Sequence, residues 1–175
     1  ALSPQLVINY LQTGSLLVYG YKNEGFFFSN PAFLQFLFSY QKGWFIYTPI
    51  MILLIPASLY LWKRSFFEMI SFIGFFVLLI YVFSSWWNLI YGDSFGMRTI
   101  VDFYSLFFLV IALFIKHVKT KLMKNIIWVY AGLAVFLNLF QTYQYSTGII
   151  HPDSMNKEAY WHVFLKAGDS YKGAV

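Results

Sequence analysis

Four apolar stretches divided by short polar connections dominate this sequence, and they leave few choices of fold. Residues 44–62 carry no charge, and as a helix rising 1.5 Å per residue they cover roughly 28 Å, close to the thickness of a hydrocarbon core. Residues 66–87 contain one charge, Glu68, near their start. Residues 100–115 are short alone, but 97–116 suffice if the polar ends lie in the interface, and residues 126–143 form a fourth run. Only 11% of the chain is charged while 59% is hydrophobic and 23% aromatic, with a mean hydropathy of +0.61. A soluble domain carries about a quarter charged residues. The expectation is an all-α, polytopic integral membrane bundle with about four transmembrane helices.

Charge gives this bundle a direction. Six of the twelve basic residues fall in two connections, Lys63-Arg64 and Lys116, Lys119, Lys121 and Lys124, with no acid inside either. The positive-inside rule assigns both connections to the cytoplasm. Glu24, Asp93, Asp153, Glu158 and Asp169 all fall on the opposite side. The net charge of +5 therefore reflects topology and gives no sign of a nucleic-acid partner. The resulting division is an outer-face interfacial segment (1–43), a four-helix transmembrane region (44–143) and an outer-face tail (144–175). Both termini then face outward, as on the periplasmic side of a bacterial inner membrane. An outward start without a signal segment leads to the expectation that the chain is the C-terminal part of a larger membrane protein, or a processed one. The lack of cysteine removes disulfides and thiolate metal sites.

Finer elements follow from local chemistry. A helix is expected over residues 2–17, interrupted or ended by Thr13-Gly14-Ser15, and a turn over 19–25. Pro31 suits the start of a helix through Tyr40, with Phe33, Phe36, Leu37 and Tyr40 on one stripe; such a stripe lies in the interface or packs on other helices. Gln41-Lys42-Gly43 makes a polar approach to the first span, which Pro49 and Pro56 should bend. Trp and Tyr gather at span ends as an aromatic belt. Residues 156–166 suit a short surface helix with Tyr160, Trp161 and Phe164 on its apolar side.

The chemistry concentrates in the loop from Trp86 to Arg98. Arg98 offers a planar, permanently charged fork suited to phosphate or carboxylate, and Gly92 and Gly96 let backbone N–H groups approach an anion. A helix starting near Gly96 or Met97 adds a favourable dipole. The competing reading pairs Arg98 with Asp102, one turn on, as an anchor of the helix end. Asp93 is either an accessible base or metal ligand, or a turn former or helix cap. Asp102, slightly inside the boundary, is expected to orient Arg98. Glu68 reads as interfacial beside Lys63-Arg64, and His117 as solvated. His151 and His162 lack the i, i+4 spacing of a helical metal pair. No P-loop, dinucleotide fingerprint or Gly-x-Ser-x-Gly is present.

Two motifs together resemble a known family. Lys42-Gly43-Trp44-Phe45-Ile46-Tyr47-Thr48-Pro49 is similar to the span approach of polytopic GT-C glycosyltransferases, and Gly92-Asp93-Ser94-Phe95-Gly96-Met97-Arg98 after Trp87 resembles their W-x-G-x-S-F-G-x-R outer loop. The family resembled is the dolichyl-phosphate-mannose mannosyltransferase-like group of bacterial membrane proteins, matched over its later half. The resemblance implies transfer of a sugar from a polyprenyl-phosphate donor at the periplasmic face, with inversion at the anomeric carbon. Arg98 would bind the donor phosphate, assisted by Ser94 and the backbone at Gly96, with Asp102 and Asp93 in support. No metal ligand set is assigned, and a divalent metal stays open. The family's catalytic Asp belongs to a first outer loop that this chain does not contain, so the chain is not expected to be catalytic alone.

The alternative is a non-enzymatic membrane subunit or lipid-binding scaffold of a cell-envelope complex, with membrane lipid and partner subunits as its contacts. A transporter fits poorly, because the spans lack mid-membrane ionisable residues.

Overall fold

A computed structural model describes residues 3–18 and 24–173, and these are all-α. Helix α1 (Ser3–Thr13) ends where expected: Gly14 takes φ +73° and its N–H donates to the Tyr10 carbonyl at 2.9 Å. The turn expected over 19–25 falls largely outside the described residues. Short helices α2 (Phe33–Phe38) and α3 (Trp44–Tyr47) follow, then a 3₁₀ turn (Pro49–Leu53) that runs into α4 (Leu54–Arg64). Helix α5 is Phe66–Ser84; a 3₁₀ segment (Arg98–Phe103) continues into α6 (Tyr104–His117), and α7 is Lys121–Ser146. The tail carries α8 (Lys157–Val163) and a last 3₁₀ turn (Asp169–Tyr171).

Among the described residues three helices are long and apolar enough to cross a membrane: Phe66–Ser84, Arg98–His117 and Lys121–Ser146. The first apolar run does not make a fourth continuous helix. Pro49 has no N–H to offer and disfavours helical geometry at the residue before it, so Thr48 sits at φ −135°, ψ 65° and splits the run. Pro56, by contrast, falls in the first turn of α4, where a missing N–H costs little.

Carbonyls on either side of this break find partners on α7. Asn138 Nδ2 donates to the Tyr47 carbonyl, and the Tyr130 hydroxyl donates to the Pro49 carbonyl at 2.6 Å. Backbone groups away from water require such capture, since an apolar surrounding offers no hydrogen bond. Tyr104 adds its hydroxyl between Trp44 Nε1 (3.1 Å) and Thr48 Oγ1 (3.2 Å).

Packing centres on α4, α5 and α6, whose core includes Phe36, Trp44, Met51, Ile100 and Phe107. Trp44 meets Phe107 and Phe76 with ring centroids at 5.4 and 5.8 Å. Phe36 of α2 is fully buried and stacks on Phe83, so the aromatic stripe of α2 packs onto the bundle. The segment before α2 is tied to the end of α5: Phe27 N–H donates to Ser85 O (2.6 Å), Trp87 N–H to Gly25 O (2.9 Å) and Ala32 N–H to Ser84 O (2.9 Å). At the other end of α5, Ser65 caps the helix and Glu68 pairs with Arg64 at 3.2 Å.

Outward faces are strongly apolar, with Leu122, Ile126, Val129, Leu133, Phe136 and Leu139 of α7 all exposed. Such a surface suits a bilayer rather than water.

The tail packs onto the loop end of the bundle. Ile149, Ile150, Met155, Tyr160 and Val163 form a second core with Tyr47, against which Phe95 packs. Two buried glutamines of α7 hold it there: Gln141 donates to the Tyr160 hydroxyl (2.8 Å), and Gln144 donates to the carbonyls of Val163 (2.6 Å) and Lys166 (2.8 Å). Asn156 caps α8 by accepting the Ala159 N–H at 2.9 Å. Trp161, expected on the apolar side of this helix, faces outward, while Tyr160 and Val163 are the buried pair.

Candidate functional site

The loop after α5 is shaped by its own residues. Asn88 Oδ1 accepts the Ile90 N–H at 3.0 Å, a local turn that asparagine forms readily. Tyr91 and Gly92 then take successive left-handed conformations, φ +51° and +74°. Gly96 repeats this at φ +57°, and a Cβ there would stand 3.2 Å from Tyr47 Cβ, so glycine is favoured both by conformation and by space. Phe95 turns inward, edge-on to Tyr47 at 5.4 Å and 5.8 Å from Tyr145.

Beneath the loop lies Lys42, which is 3% exposed. Its ammonium donates to the Ile90 carbonyl at 2.7 Å and to the Gly92 carbonyl. Burial lowers its proton affinity from the ordinary lysine range; Asp153 and Asp93 oppose that, and Arg98 adds to it. The sequence marks Lys42 only as a polar approach to a span. The available signal was a lysine on the side that the charge rule assigns to acids.

These constraints bring Arg98 to the rim of an open groove of about 620 Å³. A Cβ at Gly92 would stand 3.9 Å from Arg98 Nη2, so the guanidinium folds back over that glycine. The groove walls are aromatic: Phe26 meets Trp86 edge-on at 4.8 Å, and Trp87, Phe83 and Tyr91 complete the lining with Asn88 and Glu24. An antiparallel bridge joins Phe26 to Trp86 and places a segment far away in sequence as the opposite wall. Glu24 and Phe26 were missed in the sequence because no local spacing connects residue 24 with residue 98.

The other expected site residues lie elsewhere. Ser94 and Gly96 are not at this groove: Gly96 is buried against Tyr47, and Ser94 Oγ is buried without a hydrogen-bond partner. Asp93 and Asp102 are exposed and also outside it. Among the described residues Arg98 and Asp102 form no ion pair. The reason is local: residues 98–103 are 3₁₀, and at three residues per turn positions i and i+4 stand roughly 120° apart instead of on one face.

The histidines are placed structurally. His151 Nδ1 accepts the N–H groups of Asp153 (3.1 Å) and Ser154 (3.2 Å), closing a turn. His162 lies edge-on to Tyr171 with centroids at 5.9 Å. Among the described residues no three His, Asp or Glu side chains come together in a way that would hold a metal ion.

Chemically, the groove joins one cation, one carboxylate and several broad apolar ring faces. A guanidinium binds phosphate through parallel N–H donors, indole and phenyl faces cover apolar groups, and a carboxylate accepts hydroxyl protons. No family model matches this chain, and neither a curated protein nor a solved structure does.

Proposed function

We propose that this chain is the C-terminal part of a polytopic membrane glycosyltransferase and that its aromatic groove holds the phosphate of a polyprenyl-phosphate sugar donor. The observation that carries the reading is Arg98 at the rim of an aromatic-walled groove at one end of apolar helices, with no ion-pair partner among the described residues. A prenyl chain needs apolar cover at membrane depth, and its phosphate needs a donor fork at the interface. Glu24 supplies an acceptor for sugar hydroxyls on the same groove. In this reading the broken run 44–62 makes the fourth crossing, the basic connections face the cytoplasm, and the groove opens to the periplasm of a bacterial inner membrane. Ser94 and Gly96 act through the loop backbone, and catalysis requires an upstream part of the enzyme.

The test is binding of a polyprenyl phosphate to the full chain in nanodiscs. Arg98→Ala should weaken it about 10- to 100-fold, the equivalent of one charged bidentate contact of about 1.5–3 kcal/mol. Arg98→Lys should recover only part of the loss, because an ammonium lacks the fork. Unchanged binding by a folded Arg98→Ala chain would overturn the assignment. A membrane scaffold would then be the better reading, a view favoured by the exposed apolar face of α7, which suits contact with further helices.

A further inference from the structure

The end of the bundle away from the aromatic loop holds a second groove, of about 320 Å³, where α4, α6 and α7 meet. Its wall is apolar, with Leu59, Phe114 and Met123 among its residues, and its rim is basic, with Lys63, Lys119 and His117. His117 stacks on Tyr60 at 4.8 Å and its Nδ1–H donates to the Leu113 carbonyl at 2.8 Å, so Nε2 is the polar atom it has left to offer. The acid at this end, Glu68, is already engaged by Arg64.

Helix α7 begins here against the usual electrostatic rule. A helix N-terminus favours acids, yet the first turn of α7 has none and carries Lys121 and Lys124. Thr120 occupies the cap position without a side-chain hydrogen bond to the first turn. Uncapped N–H groups, lysines and a basic rim therefore converge at one place, each favouring an anion. The adjoining wall favours a hydrocarbon chain, with Leu59 and Met123 about half exposed.

We propose that this groove binds one anionic phospholipid, its phosphate held by Lys63, Lys119 and the first turn of α7 and one acyl chain lying along Leu59, Phe114 and Met123. The site is independent of the aromatic groove and of the function proposed for it. Charge complementarity selects an anionic over a zwitterionic headgroup, and the apolar wall selects a lipid over a soluble phosphate.

The experiment uses the full chain in neutral detergent and reads retained lipid by native mass spectrometry, with phosphatidylglycerol and phosphatidylcholine of identical chains as probes. Phosphatidylglycerol should be retained about ten-fold better or more. Lys63→Gln with Lys119→Gln should lower its affinity roughly 30-fold, taking each lysine near a lipid surface at its usual strength. Removing the same charge off the groove, Lys116→Gln with Lys157→Gln, should cost less than about three-fold, because screening shortens the reach of those charges. Leu59→Trp keeps every charge, fills the groove from an exposed position, and should also release the lipid. Equal retention of both lipids, equal loss in the two lysine pairs, retention unchanged by Leu59→Trp, or full displacement by glycerol phosphate would each overturn the proposal.

Discussion

Lys42 shows how one residue can set the geometry of a site it does not line. Its ammonium sits under the loop and collects the Ile90 and Gly92 carbonyls, which fixes the backbone over which Arg98 folds. Lys42→Met keeps the stem but strands both carbonyls, so we expect a loss of about 2–4 kcal/mol of stability in thermal melts, together with weaker Arg98-dependent binding. The pH response has a definite sign. Burial lowers the folded-state value below the ordinary 10.5, so between those two values the unfolded chain holds the proton that the folded chain has released. This contribution to stability therefore rises as pH climbs through that window, and Lys42→Met should lack the rise. An alkaline melting series with the same slope against pH in both proteins would refute it. Arg98 was legible as a candidate because glycines, a turn and an arginine at a span mouth share one chemistry. Lys42 was not, because its role depends on a loop some fifty residues away, as its bond to Gly92 records.

At the scale of elements, the broken helix at Thr48–Pro49 is the informative feature. The two prolines announced a bend, but not which side chains would take up the carbonyls on either side of it. Asn138 and Tyr130 do so from α7, and that helix touches the rest of the bundle mainly at this 3₁₀ turn. Asn138→Leu and Tyr130→Phe should each lower stability by about 0.5–2 kcal/mol, the range for interhelical hydrogen bonds in membranes. Their combination should detach α7 at lower temperature than the α4–α6 core, seen as a two-step melt. A single cooperative transition in the double variant would count against that picture. Apolar length predicted α5, α6 and α7 well, since a long apolar run has one stable backbone solution in lipid. The packing of α2 was open from the sequence, because a stripe of Phe reads the same against lipid or protein.

Across the whole molecule, charge separates the two ends. One end gathers lysines around a small groove, and the other gathers aromatics around Arg98. The sequence revealed this polarity because half of the basic residues cluster, without acids, in two connections. It hid the groove itself, whose two walls come from residues 24–26 and 83–98. Pairing across such a distance leaves no periodic trace, and the Arg98–Asp102 pair it did suggest was undone by a 3₁₀ start.

Phe95 joins the loop to the tail, wedged between Tyr47 and Tyr145 beside the α8 core, with only Gly96 and Met97 between it and Arg98. The amides of residues 95–97 and 149–163 therefore belong to one opening unit and should exchange with deuterium at a common rate. Trimming α8's anchors with Gln141→Ala and Gln144→Ala should speed both sets together. A common rate would make the tail a clock on the arginine, with the time the tail stays seated setting the time Arg98 keeps its pose.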